Sequence, residues 1–242
     1  MTRWPQRPKA PEVTRDFLGR LDAVRRRIVA AAEVAGRDPR GVTLVAVSKT
    51  HPAEVVDQAV AAGAGDLGEN RVQEARTKKP GVRDARWHLI GPLQRNKVKV
   101  ALEVFDVIHT VDRPEIGDRL QFLLEQHWAE RVVDVLLEVN VGNESQKAGV
   151  MPADARELLD AVRTHDRLAV RGLMAIPPFA AESEASRSYF RSLRELRDRL
   201  QDETGHALPE LSMGMSHDFE IAIAEGATLV RVGTAIFGPR GR

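Results

Sequence analysis

Beyond position 42 the chain alternates between two kinds of hydrophobic pattern. Short, mostly apolar runs occupy 43–48, 66–70, 86–90, 105–110, 132–140, 168–176, 210–213 and 228–232, several of them rich in β-branched residues. Strands of a parallel sheet are covered on both faces, lose the in–out alternation, and read in this way. Between the runs lie polar stretches in which apolar residues return every three or four positions, the period of a helix with one buried face. They predict helices over 52–62, 71–78, 96–102, 114–128, 152–163, 182–203 and 217–224. Pro52 suits a first helical turn, where a missing N–H costs nothing. Ahead of the alternation, Phe17, Leu21, Val24, Ile28, Ala31 and Ala35 form one stripe, which predicts an additional N-terminal helix over 12–36. Pro5, Pro8 and Pro11 mark residues 1–10 as a loose lead-in and leave 11–242 as a single domain.

Eight strands, each but the last followed by a clear helix, is the count of a (β/α)8 TIM barrel. A doubly wound open sheet shares the alternation and stays as the structural rival. An apolar content of 43% with 29% charged residues is ordinary for a globular protein. The formal charge of +1 gives no sign of nucleic-acid or membrane-surface binding, and Arg25, Arg26 and Arg27 read as a solvated helix face. The absence of cysteine excludes disulfides and thiol catalysis. No apolar run reaches membrane-spanning length and no signal-peptide core is visible, so a cytoplasmic location is expected. The seven histidines are scattered without a ligand-like pair, and no metal is expected.

Chemistry in α/β folds sits just past the carboxyl ends of the strands. The first strand ends on Ser48-Lys49-Thr50, and lysine is among the residues least often buried. It is either a surface residue closing a strand or the head of a site. Ser216 follows the seventh strand, and Gly233 and Thr234 follow the eighth. Loops in those two places are the common phosphate site of a barrel, and the glycines and hydroxyls there suit close approach to an anion. A phosphate cradle together with a lone lysine matches what pyridoxal phosphate needs. The residues alone carry the reading no further.

Five segments in order add a resemblance that spans the chain from the first helix onward. They are 46–50 (AVSKT), 68–74 (GENRVQE), 87–97 (WHLIGPLQRNK), 211–216 (LSMGMS) and 230–238 (VRVGTAIFG). In these the chain resembles the pyridoxal phosphate homeostasis protein family. The resemblance implies a single barrel of the alanine racemase N-terminal-domain type, with pyridoxal 5'-phosphate held as a Schiff base on Lys49. Carried across by motif, Ser216, Gly233 and Thr234 hold the phosphate, Arg231 faces the pyridine nitrogen and Asn70 lines the pocket. His88 is either near the pocket or a core histidine of a buried strand. Lys147 is a rim residue able to act as a second amine or a solvated loop lysine. The 94–97 segment has no role assigned.

The resemblance also implies a carrier and regulator of pyridoxal phosphate (vitamin B6) and amino-acid balance, with dependent apoenzymes as candidate transient partners. A monomer with no nucleic-acid or membrane partner is expected. A guanidinium keeps its proton and cannot act as the carboxylate that holds a pyridinium, so strong carbanion chemistry is disfavoured. Alanine racemases draw their second base, a tyrosine, from a further β domain. Here the sequence ends at Arg242 and its only tyrosine is Tyr189, so no enzyme activity is expected. The alternatives are a racemase-like enzyme of weak or narrow activity, and a barrel enzyme whose Lys49 condenses with some other phosphorylated substrate.

Overall fold

The structure is a computed structural model that describes residues 15–178 and 181–238. Its eight strands are β1 (Thr43–Val47), β2 (Asp66–Glu69), β3 (Arg86–Leu89), β4 (Val107–Val111), β5 (Val133–Glu138), β6 (Leu168–Met174), β7 (Glu210–Met215) and β8 (Leu229–Val232). Each pairs in parallel with the next, and β8 pairs with β1 to close the ring. The closed barrel is realised and the open sheet is not.

Around it run α1 (Arg15–Val34), α2 (Ala53–Ala61), α3 (Val72–Lys78), α4 (Val98–Val104), α5 (Pro114–His127), α6 (Ala155–Val162), α7 (Arg187–Thr204), α8 (Phe219–Ala224) and α9 (Thr234–Phe237). The residues 1–10 expected as a lead-in lie outside the described part. Pro52 stands one position before its helix as the N-cap, and α9 is a short helix that the apolar pattern did not predict. Strand β7 runs two residues further than its apolar run, because Met215 still pairs with Arg231 of β8. Helix α1 packs against α8, α9 and α2, and Arg25 and Arg27 of its polar face bond the Gly63 carbonyl and Glu220.

The core has two parts, as the alternation of side chains in a barrel requires. A large layer between strands and helices includes Trp87, Leu89, Phe105, Ile108, Leu120 and Phe219. Inside the ring, Val45, Val107, Leu136, Met174 and Leu229 form a separate buried cluster. Successive residues of a strand point to opposite faces. The set facing inward therefore includes Asp66, Gly68, His88, His109, Glu138, Ser212 and Arg231, while Ser48 and Glu69 face the helices. The polar members of this inner set position the site.

Candidate functional site

Lys49 lies two residues past the end of β1 and shares the inward parity of Val45 and Val47; it is half-buried. Both neighbours are anchored. The Ser48 hydroxyl donates to Glu69 Oε1 at 2.6 Å, and its carbonyl accepts from Lys78 Nζ at 2.9 Å. Lys78 also reaches Glu69 at 2.5 Å and Glu74 at 2.9 Å. The amide of Thr50, held at φ 70°, donates to Glu74 at 2.5 Å. Burial pushes the Glu69 carboxyl upward against the pull of Lys78 and Ser48. Burial acts likewise on Glu74, but the bonds from Lys78 and Thr50 outweigh it and hold that group below the ordinary value. Glu69 and Glu74 stand within the quoted motif; helical spacing alone sets Lys78 beside Glu74, but only the fold brings it to Glu69.

Across the seam of the barrel the two loops expected to cradle an anion meet. The Gly233 amide donates to Ser216 Oγ at 3.1 Å, and Thr234 follows as the first residue of α9. A Cβ on Gly233 would lie 3.3 Å from the Val47 carbonyl, so the end of β8 presses against the end of β1. Asp218, 2% exposed, fixes the β7 loop by accepting from the Met215 amide at 2.7 Å and the Ser186 hydroxyl at 3.1 Å. Gly214 is required by packing and by its backbone conformation. Its φ is +89°, and an added Cβ would come within 2.6 Å of Ala222.

Arg231 is buried beneath this seam. Its Nη1 donates to the Ser212 carbonyl at 2.7 Å and to Ser212 Oγ at 2.6 Å, and its Nη2 donates to the Ala175 carbonyl at 2.8 Å. Three of the five N–H groups of the guanidinium are thus committed, and two have no partner among the described residues. Burial lowers its pKa to about 10, with Glu138 and Asp218 opposing, and it stays charged at neutral pH.

Glu138 ends β5 on the inner face and was not singled out in the sequence. Its Oε2 is buried without a hydrogen-bond partner among the described residues. Burial and the neighbouring Asp112 raise its pKa to about 7, against the attraction of Arg231. The available signal was an acidic residue inside the longest apolar run.

The remaining expected residues are distributed differently. Asn70 is half-buried at the mouth and lines a cleft of ≈ 430 Å³ with Arg71, Gln73, Gln94 and Lys97, which places the 94–97 segment beside it. The backbone of Asn70 sits 2.3 Å from where a Cβ of Gly91 would be, so only glycine fits there. His88 is fully buried inside the barrel, and does not line the mouth. Lys147 is committed: it donates to the Pro177 carbonyl at 3.0 Å and pairs with Glu144. Tyr189 is in the first turn of α7, a helix packed on the outside of β6 and β7. Among the described residues, no cluster could hold a metal and no helix is long and apolar enough to cross a membrane.

Ser216, Gly233 and Thr234 thus meet beside the end of β1, two residues before Lys49, with the buried Arg231 below. Comparison with known proteins agrees. The family model described as the alanine racemase N-terminal domain matches residues 20–241. The pyridoxal phosphate homeostasis protein of Aquifex aeolicus is 47% identical over 224 residues, covering 91% of this chain and 97% of that protein. Its counterpart in Pseudomonas aeruginosa is 48% identical over 217 residues, covering 88% and 91%. The structure of PipY from Synechococcus elongatus, with PLP bound, superposes with a TM-score of 0.79 at 37% identity, covering 92% of this chain and 100% of PipY.

Proposed function

We propose that this chain, which belongs to the pyridoxal phosphate homeostasis protein family, binds pyridoxal phosphate covalently at Lys49 and holds it for release. The observation that supports this reading is the contact of Gly233 with Ser216 beside Val47, two residues before Lys49. The cofactor supplies an aldehyde that condenses with amines, losing one water, and an electron-withdrawing ring. Ser216, Gly233 and Thr234 bind the phosphate, and Asn70 lines the pocket wall. The two uncommitted N–H groups of Arg231 face the ring nitrogen. A donor-only guanidinium does not keep that nitrogen protonated, which suits storage of the aldehyde better than strong carbanion chemistry.

The test is direct. Added pyridoxal phosphate gives a visible band near ~420 nm, and borohydride reduction places the label on the Lys49 peptide. Lys49→Ala loses both. A label on another lysine, or a band that survives Lys49→Ala, refutes the assignment. Release to a partner is read from transfer to a dependent apoenzyme. Transfer faster than free dissociation marks a docking carrier in the cytoplasm, and transfer at the dissociation rate marks a buffer that limits free aldehyde and so affects amino-acid balance.

A second reading, a racemase-like enzyme of narrow activity, draws on Glu138, whose carboxyl titrates near neutrality at the mouth. It requires solvent deuterium to enter the α-position of an amino acid and this exchange to vanish in Lys49→Ala.

A further inference from the structure

The inner face of the barrel carries a continuous chain of polar side chains. Asp66 Oδ1 lies 2.9 Å from His88 Nε2, and His88 Nδ1 lies 2.9 Å from His109 Nε2. His109 Nδ1 is 2.9 Å from Ser212 Oγ, which accepts from Arg231 Nη1 at 2.6 Å. The links come from β2, β3, β4, β7 and β8 in turn, so the chain crosses the lumen. His88, His109 and Ser212 are fully buried and Arg231 is 3% exposed. The Asp66 side chain, at the amino end of β2, keeps 26% of its surface exposed. It opens onto a surface cavity at the end of the barrel opposite Lys49.

The two ends fix the direction of every bond. An arginine only donates, and an ionised carboxylate only accepts. His88 must then carry its proton on Nε2 to serve Asp66, leaving Nδ1 to accept. His109 in turn carries its proton on Nε2 and accepts at Nδ1, where the Ser212 hydroxyl donates. With its proton drawn to His109, Ser212 Oγ turns lone pairs to Arg231. One proton on each ring satisfies every group. The reverse direction leaves the Ser212 proton buried without an acceptor and sets a ring lone pair against Asp66, which are costly defects in a dry interior. Burial above all, with the charges of Arg231 and Arg86 nearby, keeps the His109 ring neutral.

We propose that Asp66, His88, His109 and Ser212 form one directional hydrogen-bond relay that positions Arg231 for the cofactor. They are positioning residues, since none of the four reaches the mouth. The inference rests on the placement of Arg231 at the ring nitrogen, and the experiment separates the two claims.

Nitrogen-15 NMR of the cofactor-free protein reads the ring protonation directly and needs no variant. The relay requires His88 and His109 both as neutral Nε2–H tautomers at pH 7; an Nδ1–H form, or a doubly protonated His109, overturns it. Loading with pyridoxal phosphate should then shift the His109 Nδ1 resonance in the wild type and leave it unmoved in Ser212→Ala. No shift in the wild type overturns the coupling. Ser212→Ala and His109→Leu should each weaken cofactor retention roughly 5- to 10-fold, the worth of one buried hydrogen bond. The double variant should lose no more than either single one, because members of one chain are not additive. His109→Gln, able to accept and donate, should retain most of the binding. Additive losses, or no loss, overturn the relay. Arg231→Gln separates the claims: if it leaves retention and the visible band unchanged, the placement of Arg231 fails. If it alters them while the Ser212 and His109 variants do not, only the relay fails.

Discussion

Glu138→Gln isolates one charge in the barrel lumen. In the folded chain the carboxyl titrates at about 7, against an ordinary 4.5, mainly because burial strips it of water. Between those values the native state keeps a proton that the unfolded chain has released, so stability falls as pH rises. The gap of about two and a half pH units, at 1.36 kcal/mol per unit, makes the loss about 3 kcal/mol once pH exceeds 7. Below pH 4.5 there is no loss. Glutamine has the same shape and stays neutral, so Glu138→Gln escapes the penalty. Urea denaturation of the cofactor-free proteins should show equal stability at pH 4.5. At pH 8 the variant should be more stable by up to about 3 kcal/mol, or roughly 6–12 °C in Tm for a domain of this size. Equal stability at both pH values would refute the reasoning, because it would mean that the carboxylate is already solvated or paired when ionised. A variant less stable than wild type at pH 8 would refute it more strongly, since Arg231 would then be gaining more from the charge than burial takes away.

Three further outcomes follow from the same geometry. Lys78→Met strands the fully buried Glu69 carboxyl and should cost about 3 kcal/mol in urea denaturation; adding Glu69→Gln should restore much of it, and an unchanged double variant would count against the pairing. Gly91→Ala drives a Cβ into the Asn70 carbonyl and should cost about 2 kcal/mol or more while weakening pyridoxal phosphate binding, measured on the same samples. Asp218→Ala frees the Met215 amide and the Ser186 hydroxyl, so binding of pyridoxal phosphate should weaken several-fold at a stability cost of about 1–3 kcal/mol; full retention would mean that the β7 loop holds its shape without the carboxylate.

The strands were readable because a buried parallel strand leaves an uninterrupted apolar run, and their carboxyl ends located Lys49, Ser216, Gly233 and Thr234 without reference to register. What strand order cannot supply is which side chains meet. His109 and Ser212 are separated by 103 positions, and nothing local to either marks the other. Parity within one strand puts His88 on a face, but only closure of the ring shows that this face is the lumen and that Asp66 and His109 flank it. Lys147 stayed open between a second amine and a solvated loop lysine because the Glu144 and Pro177 partners that occupy it are arranged by a loop with no periodic signal. Glu138 was overlooked for the opposite reason. The apolar run around it is so strong that a strand was the whole message, and the one acidic residue it carries passed as incidental.

Closure of the ring also bears on the order of events during folding. Lys49 comes from the beginning of the barrel and Arg231 from its final strand, and Thr43 pairs with Leu229 across the junction. Pairing the two ends of so long a segment is slow, because the entropy of closing the loop is lost before any contact rewards it. Until then the end of β1, which carries Lys49, has no Ser216–Gly233 contact beside it. A half-assembled chain can therefore capture an aldehyde only as any exposed lysine does. On the proposed assignment, acquisition of the visible band would then time the completion of the barrel.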